Sequence, residues 1–315
     1  MGPFKRFFWI ARWIWVNVMR RLSANRRLLL VFAVALFLFR VKVDRQDFQL
    51  DLDTSRLAIV PVMLVLMLEL KDKLLARDEI EVARQVQLSL LPKHHPDVPG
   101  WQVWSVTTPA NDVGGDLIDY LDGAAGRTGL ALGDVAGKGM GAALLCAKLQ
   151  AALRALAPQA DDLAQLGASL NGVLERAGLD NRFATLFYCE IAPDRPEVRY
   201  LNAGHNPALL VRAGSVAPLG ASSLPLGMLP SVSYVQGSVV LETGDRLVLY
   251  SDGITEATSA AGEEYGVDRL RRLALAHAAA PVPELARCVL ADVSAFLGGE
   301  KPHDDQSLLV LGRSS

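Results

Sequence analysis

Apolar and polar positions divide the chain into three stretches of different character. Two uncharged runs of twelve residues lie at 28–39 and 57–68, a charged stretch without Gly or Pro follows, and short alternating segments begin after Pro92. This change of pattern predicts a domain boundary on each side of the charged stretch. The predicted parts are a helical region at 1–68, a linker helix at 69–91 and a folded domain at 92–315.

The two uncharged runs are typical of membrane-associated helices. Each spans only about 18 Å as a helix, against a hydrocarbon core of about 30 Å, so flanking residues must extend the spans to 28–43 and 57–70. Basic residues lie outside the pair and acidic ones in the connecting loop. This predicts a hairpin in the inner (cytoplasmic) membrane with the C-terminal domain in the cytoplasm, although Arg40 and Lys42 violate the positive-inside rule. The alternative is a soluble or surface-lying helical pair in a cytoplasmic protein.

Residues 4–19, FKRFFWIARWIWVNVM, combine aromatic rings with Lys5, Arg6 and Arg12. This mixture favours a helix lying at a membrane interface, with its aromatic side down and its basic side toward the headgroups. The alternative is an amphipathic helix packed on protein.

The linker helix carries a heptad pattern. Leu68, Leu75 and Val82 are seven residues apart, and Val86 and Leu90 continue the same face. The pattern predicts a continuous helix from the membrane into a short coiled coil, and therefore a homodimer. An amphipathic helix packed on its own domain explains so few heptads equally well.

The C-terminal domain alternates strand-like segments with pairs of helical segments. Strands are predicted at WQVWSVT, TGLALGDV, FATLFYCEI, EVRYLNAG, PALLVR, SYVQGSVVLE, DRLVLYSD and QSLLVLG. Helix pairs are predicted at MGAALLCAKLQAALRALA with DDLAQLGASLNGVLERAG, and at VDRLRRLALAHAA with VPELARCVLADVSAFL. Helices in pairs indicate an α+β layered sandwich and not a doubly wound sheet.

Composition excludes several classes of function. A net charge of −2 in 315 residues provides no basic field for nucleic acid, and no nucleic-acid partner is predicted. The three cysteines lack the spacing of a zinc site or a disulfide framework, which indicates buried thiols.

Four acids share one context, the junction between a strand and a turn. They are Asp116, Asp134, Asp252 and Asp304. Neighbouring strand ends would bring these carboxylates together, and hard divalent cations with oxygen ligands relieve the repulsion. Because no His or Cys accompanies them at ligand spacing, Mg²⁺ or Mn²⁺ is favoured over zinc. Two such ions can activate a bridging water for attack on phosphorus.

A nucleotide-binding loop is the competing interpretation. GKGMGA at 137–142 matches the dinucleotide fingerprint GxGxxA, but Asp134 lies where a pyrophosphate would approach. The overlapping stretch GDVAGKG at 133–139 has one residue too few between its glycines for a phosphate-binding Walker A loop, and Gly139 replaces its Ser or Thr.

Several stretches occur in the order of a known family, from about residue 80 to the end. They are PANDVGGDLIDY, LALGDVAGKGMGAALL, RFATLFYCEI, YLNAGHNPALL, PLGMLP, DRLVLYSDGITEA and KPHDDQSLLVL. The chain resembles the protein phosphatase 2C (PP2C) superfamily, in its bacterial branch named for the stage II sporulation phosphatase. The resemblance implies an α-β-β-α sandwich that hydrolyses phosphoserine or phosphothreonine in a protein, using two Mn²⁺ or Mg²⁺ ions.

The resemblance also implies roles for individual residues. Asp116 and Asp134 correspond to ligands of a two-metal centre that activates water, with the backbone carbonyl of Val135 assisting. Asp252 and Asp304 correspond to the remaining acids. Asp305 lies at a position where many relatives carry an amide, so it is a weaker candidate for a metal ligand than these four acids. Ala136 and Gly141 depart from the usual serine and proline without affecting a ligand.

Three further residues have open interpretations. Lys138 is predicted either to meet the substrate phosphate or to be a solvated turn lysine, and Arg182 is similarly ambiguous. His205 is predicted either to protonate the leaving oxygen or, more simply, to fix a turn.

The resemblance indicates a partner as well. Family substrates are often small STAS-domain anti-anti-sigma proteins, and EVARQVQLSLLP resembles the helix that joins such domains to their sensors. Two rival functions stay open: a catalytically silent module that binds a phosphoprotein, and a hydrolase of small phosphoesters.

Overall fold

The computed structural model describes residues 3–38, 41–45, 48–52, 57–176, 182–193, 195–220 and 223–314. The chain divides into two compact units, Met1–Glu79 and Ile80–Ser315. The long helix α3 contributes its first part to one unit and its last turns to the other.

The first unit is mainly helical. Its elements are α1 (Pro3–Arg21), α2 (Ala24–Leu38), β1 (Val41–Arg45), β2 (Phe48–Leu52) and the beginning of α3 (Ile59–Leu90). The two strands pair antiparallel, and β1 begins inside the predicted span 28–43. They form there because the apolar run gives way to alternation in VKVDR and FQLDL, which has the period of a strand.

Helix α2 therefore ends before the end of the predicted span 28–43. Its 15 residues cover about 22 Å. In the part of the chain that the structure describes, one helix is long and apolar enough to cross a membrane, and it is Met140–Gln159 in the second unit. Leu145, Leu149 and Leu153 of that helix are buried in a protein core, so it is a core helix and not a membrane span. The membrane hairpin predicted at 28–43 and 57–70 therefore stays a prediction.

The second unit contains the remaining elements. Its strands are β3 (Trp101–Thr108), β4 (Asp116–Asp122), β5 (Thr128–Val135), β6 (Ala184–Ile191), β7 (Glu197–Ala203), β8 (Ala208–Arg212), β9 (Ser215–Leu219), β10 (Gln236–Val240), β11 (Arg246–Tyr250) and β12 (Gln306–Arg313). Its helices are α4 (Met140–Leu156), α5 (Leu163–Glu175), α6 (Asp252–Thr255), α7 (Val267–Ala276) and α8 (Val282–Leu297).

The strands form two antiparallel sheets. The first sheet has the order β10-β7-β6-β5-β4, and the second has the order β3-β12-β11-β8-β9. Leu130 and Leu132 of β5 pack with Leu249 and Leu309 of the second sheet. The alternate residue Ala131 faces a separate core shared with α4 and α5. Because β5 is buried on both faces, its sequence is almost entirely apolar.

Helices cover both outer faces of the sandwich. Helices α4 and α5 pack on the first sheet, and α7 and α8 pack on the second through residues such as Leu270, Leu285 and Val289. The predicted α-β-β-α sandwich is confirmed. Strands β4 and β9 were not anticipated from the sequence. Strand β4 reads DLIDYLD, whose three aspartates resemble a turn when the pairing partners are unknown.

Candidate active site

Two of the predicted acids lie directly opposite each other on neighbouring strands. Asp116 begins β4, Asp134 lies near the end of β5, and the two are paired in the antiparallel register. Paired residues direct their side chains to the same face. Ile118 and Leu132, two residues away on each strand, belong to the core between the sheets. Both carboxylates therefore point toward the second sheet, at one end of the sandwich.

The remaining acids come from the second sheet at the same end. Asp252 follows β11 at the start of α6, and Asp304 and Asp305 precede β12. Strands β11 and β12 pair antiparallel, and the Ser251 hydroxyl donates to the carbonyl oxygen of Asp305 at 3.0 Å. The end of one strand and the start of the next are thereby held together.

Burial and mutual repulsion disfavour the charged forms of these acids. Burial raises the pKa of Asp116 well above its ordinary value, and the charges of Asp134 and Asp305 raise it further. Burial also raises the pKa of Asp134 to about 6, with added repulsion from Asp252, Asp304 and Asp305. The pKa of Asp252 is raised by burial and then by Asp304. The acids of both sheets thus act on one another in one electrostatic neighbourhood.

One buried oxygen of this neighbourhood is left to be satisfied. Within the part of the chain that the structure describes, no donor forms a hydrogen bond with the buried Oδ2 oxygen of Asp116. A buried carboxylate oxygen is stable when a donor or a cation faces it. The oxygen-only donor set suits Mg²⁺ or Mn²⁺, so the residues present fit a hard divalent cation.

The acids are neighbours without forming a tight cluster. Among the described residues, no three His, Cys, Asp or Glu side chains are gathered closely enough to hold an ion together. Asp304 is engaged by Lys138, whose Nζ lies 3.0 Å from its Oδ2 and donates to the His303 carbonyl at 2.7 Å. Convergence of four carboxylates around two ions accordingly stays a prediction.

Asp305 has a contact pattern that the sequence did not reveal. Its Oδ1 accepts a hydrogen bond from the Ala110 amide at 2.8 Å, and its Oδ2 accepts one from the Gly115 amide at 2.6 Å. A Cβ added to Gly114 would collide with the same Oδ2. The loop that leads into Asp116 is therefore held by Asp305, and this close approach requires glycine at position 114.

The glycine-rich turn after Asp134 serves to redirect the chain. Gly137 and Gly139 have φ angles of +106° and +77°, in the region that favours glycine. They allow β5 to turn directly into α4. At the start of α4, a Cβ on Gly141 would collide with the guanidinium of Arg182. The Nη1 of Arg182 is buried and forms no hydrogen bond with the residues that the structure describes.

His205 lies inside the protein. The Asn202 side chain accepts from the His205 amide at 2.8 Å and donates to its carbonyl at 3.1 Å. The imidazole Nδ1 lies 2.8 Å from the Thr185 hydroxyl, and burial lowers the pKa of His205 to about 4. A neutral, buried imidazole favours the turn-fixing interpretation over proton donation to a leaving group.

A residue of the linker helix also reaches this site, and sequence reasoning missed it. The Gln87 Nε2 donates to the Gly114 carbonyl at 2.7 Å, and the Gly114 amide donates back to Oε1 at 3.0 Å. The Leu90 carbonyl accepts from Gln150 of α4 at 2.8 Å. The last turns of α3 are thus packed on the domain. The heptad residues Leu75, Val82 and Val86 are exposed, so the coiled coil stays a prediction.

More than half of the chain matches a known protein family. The family profile described as Stage II sporulation protein E (SpoIIE) matches residues 124–314. The chain belongs to this family. The matched range includes Asp134, Asp252 and Asp304 and begins after Asp116.

Individual relatives agree with this assignment. The chain is 30% identical over 239 residues to the phosphoserine phosphatase RsbU of Bacillus subtilis (strain 168), covering 75% of this chain and 70% of RsbU. It is 26% identical over 246 residues to the phosphoserine phosphatase RsbP of the same organism, covering 76% of this chain and 59% of RsbP.

A solved structure shares the fold. The SiaA-PP2C domain of Pseudomonas aeruginosa superposes with a TM-score of 0.65 at 20% identity, covering 78% of this chain and 99% of that domain. The prediction that the chain is a PP2C-type phosphatase is confirmed. The predicted enzyme class, a protein serine/threonine phosphatase, is confirmed with it.

The acid pair makes a testable prediction about stability. The pKa of Asp134 in the folded protein, about 6, exceeds its ordinary value of 3.8. Stability contributed by its protonated form is therefore present at low pH and lost as the pH rises through about 6. We expect the metal-free protein to melt at a higher temperature near pH 5 than near pH 8. At the higher pH, Asp134→Asn should raise the melting temperature by about 2–4 °C.

Calorimetry at both pH values measures this effect, with Asp122→Asn as the matched control. Asp122 lies at the exposed far end of β4, so its substitution should leave the pH dependence unchanged. Equal melting temperatures for Asp134→Asn and the parent chain at high pH would contradict the proposed repulsion.

The Gln87 contact makes a second prediction. Gln87→Leu keeps the volume of the side chain but leaves the Gly114 amide and carbonyl without their partner. Because the loop positions Asp116, we expect phosphatase activity or cation affinity to fall about tenfold or more. Steady-state kinetics at varied Mn²⁺ concentration measures both quantities. Gln85→Leu, on the exposed face of the same helix, should leave them unchanged, and equal loss in the two variants would refute the positioning role.

Proposed function

We propose that this chain hydrolyses phosphoserine or phosphothreonine on a bacterial signalling protein, using two Mn²⁺ or Mg²⁺ ions to activate water. The observation that carries the proposal is the register of β4 and β5. It sets Asp116 directly against Asp134, with Asp252 and Asp304 at the same end of the facing sheet. Repulsion within such a set is relieved by divalent cations.

Each residue of the site has a role in this proposal. Asp116 and Asp134 would hold the cations from the first sheet, assisted by the backbone carbonyl of Val135. Asp252 and Asp304 would hold them from the second sheet. When bound, paired cations lower the pKa of a shared water and orient it for in-line attack on phosphorus.

The surrounding residues position this centre. Asp305 holds the loop before Asp116 through two backbone amides. Lys138 is exposed beside Asp304, at a distance from which its ammonium can also meet a substrate phosphate. His205 is buried and neutral, so proton transfer to the leaving oxygen falls to water or to another group.

The proposed substrate of the phosphatase is a phosphorylated STAS-domain protein. Two relatives carry the name phosphoserine phosphatase, which supports phosphoserine as the group attacked. The silent-module alternative is disfavoured because all four acids are retained. A protein that only bound phosphoproteins would be free to lose one of them.

The cellular arrangement is a membrane-tethered homodimer with the phosphatase domain in the cytoplasm. Charge placement around α2 and α3 supports the tether, and the exposed heptad residues Leu75, Val82 and Val86 support pairing through the linker helix. Through Gln87, rotation or pairing of α3 would shift the loop that carries Asp116. The linker would then regulate activity.

The reaction is tested with a phosphorylated STAS-domain protein as substrate. We expect phosphate release with Mn²⁺ or Mg²⁺, no release in excess chelator, and a loss of about 100-fold or more in Asp134→Asn and Asp252→Asn. The charge-matched control Asp122→Asn should retain activity. Full activity in chelator would refute the mechanism. Turnover of an aryl phosphate but not of the protein would favour a small-phosphoester hydrolase, and tight binding without turnover would favour the silent module.

Regulation by the linker is tested by removing residues 1–67. If the N-terminal region stabilises the paired linker, the shortened chain should lose about fivefold or more in activity at low protein concentration. Kinetics together with analytical ultracentrifugation measures both changes. Val82→Glu in the full chain should reproduce the loss, because it places a charge on the predicted seam. Unchanged activity and metal requirement in the shortened chain would make the helix a tether and not a switch.

A further inference from the structure

Helix α1 concentrates positive charge in a segment without acids. No Asp or Glu precedes Asp44 in the chain. The basic residues of α1 are all exposed: Lys5, Arg6, Arg12, Arg20 and Arg21. A surface of this composition is complementary to an anionic partner.

The same helix exposes an apolar stripe. Phe7, Ile10, Ile14 and Val18 recur at helical spacing, and their exposed fractions are 73%, 54%, 49% and 41%. Monomeric soluble proteins rarely leave so continuous an apolar surface in water, and such a stripe marks an interaction site.

Tryptophan and arginine side chains border this stripe. The Arg12 guanidinium lies over the Trp9 ring, 5.4 Å from its centroid. Arg6, Trp9, Ile10 and Trp13 line a shallow concavity of about 370 Å³. Indole rings flanked by cations are typical of the level of lipid headgroups, where one side of the ring is apolar and the other is hydrated.

Contacts within the first unit fix the level at which α1 ends. Arg26 pairs with Glu69 at 2.7 Å and Asp72 at 2.6 Å. The uncharged part of α2 starts just after Arg27, the neighbour of Arg26, and the uncharged part of α3 ends just before Glu69. These ion pairs therefore mark the boundary between the apolar and polar parts of the two helices.

Helix α1 joins α2 at this same boundary. The Arg27 Nε donates to the Leu22 carbonyl at 2.7 Å and closes the end of α1. Leu22 itself is buried. Helix α1 thus ends at the level of the Arg26 ion pairs, with only Leu22 and Ser23 between it and α2.

We propose that α1 lies in the headgroup plane of an anionic bilayer and binds anionic phospholipid. Its apolar stripe enters the acyl boundary, and its cations meet the lipid phosphates. A second copy of α1 is disfavoured as occupant because two strongly basic helices repel each other. A transmembrane course is disfavoured because Arg12 would lie in hydrocarbon. The inference rests on the proposed membrane tether and is independent of the phosphatase reaction.

The test uses the full chain reconstituted in vesicles of phosphatidylcholine with or without phosphatidylglycerol. Lipids brominated at shallow or deep acyl positions quench tryptophan according to its depth. A Trp9→Phe, Trp13→Phe, Trp15→Phe variant supplies the background from the remaining tryptophans. We expect the α1 tryptophans to be quenched mainly by the shallow probe, and only when phosphatidylglycerol is present. Raising salt from about 0.1 M to about 1 M should weaken the effect, because it shortens the Debye length from about 10 Å to about 3 Å.

Charge variants identify the source of the lipid preference. Lys5→Gln, Arg6→Gln and Arg12→Gln together should reduce the preference for phosphatidylglycerol by about fivefold per cation removed. A control with Lys93→Gln, Lys148→Gln and Arg272→Gln removes the same charge from exposed positions elsewhere and should keep it. Quenching mainly by the deep probe, or equal quenching in both lipids, would overturn the proposal. Alkaline extraction of the vesicles reports the tether separately, and phosphate release reports the enzyme.

Discussion

The site depends on one cross-strand pair, Asp116 opposite Asp134 between β4 and β5. Like charges at directly opposed positions destabilise a sheet, and burial raises the pKa of both carboxyls. The strands keep this register because Leu117 and Ile118 of β4, like Ala131 and Leu132 of β5, are buried in separate cores. A one-residue slip would turn these apolar side chains away from their cores. Core packing therefore holds two carboxylates in an arrangement that repulsion alone would disperse.

The loop before Asp116 is braced from two distant parts of the chain. Asp305 accepts hydrogen bonds from the Ala110 and Gly115 amides, and Gln87 exchanges two hydrogen bonds with Gly114. These contacts satisfy backbone groups that a buried loop would otherwise leave unpaired. They also connect the position of the acid pair to β12 on one side and to the linker helix on the other.

Local sequence pattern predicted much of this architecture. Apolar runs with β-branched residues marked most strands, helical periodicity marked both helix pairs, and the ordered series of family stretches indicated the sandwich and the enzyme class. The acids at strand ends were recognisable because Asp134 and Asp252 each come after an apolar run in the sequence. Strand β4 was not predicted because its aspartates interrupt the apolar pattern of a strand. The structure shows that Leu117 and Ile118 of this strand are buried in two separate cores.

The sequence by itself determined the residue types, their order and the segments that become strands and helices, since these follow from local periodicity. Only the tertiary structure decided that Asp305 holds a loop 190 residues away in sequence, that Gln87 reaches Gly114, and that His205 is buried. Such contacts join residues far apart along the chain. Each is chosen by the packing of whole sheets and helices, which no local pattern encodes.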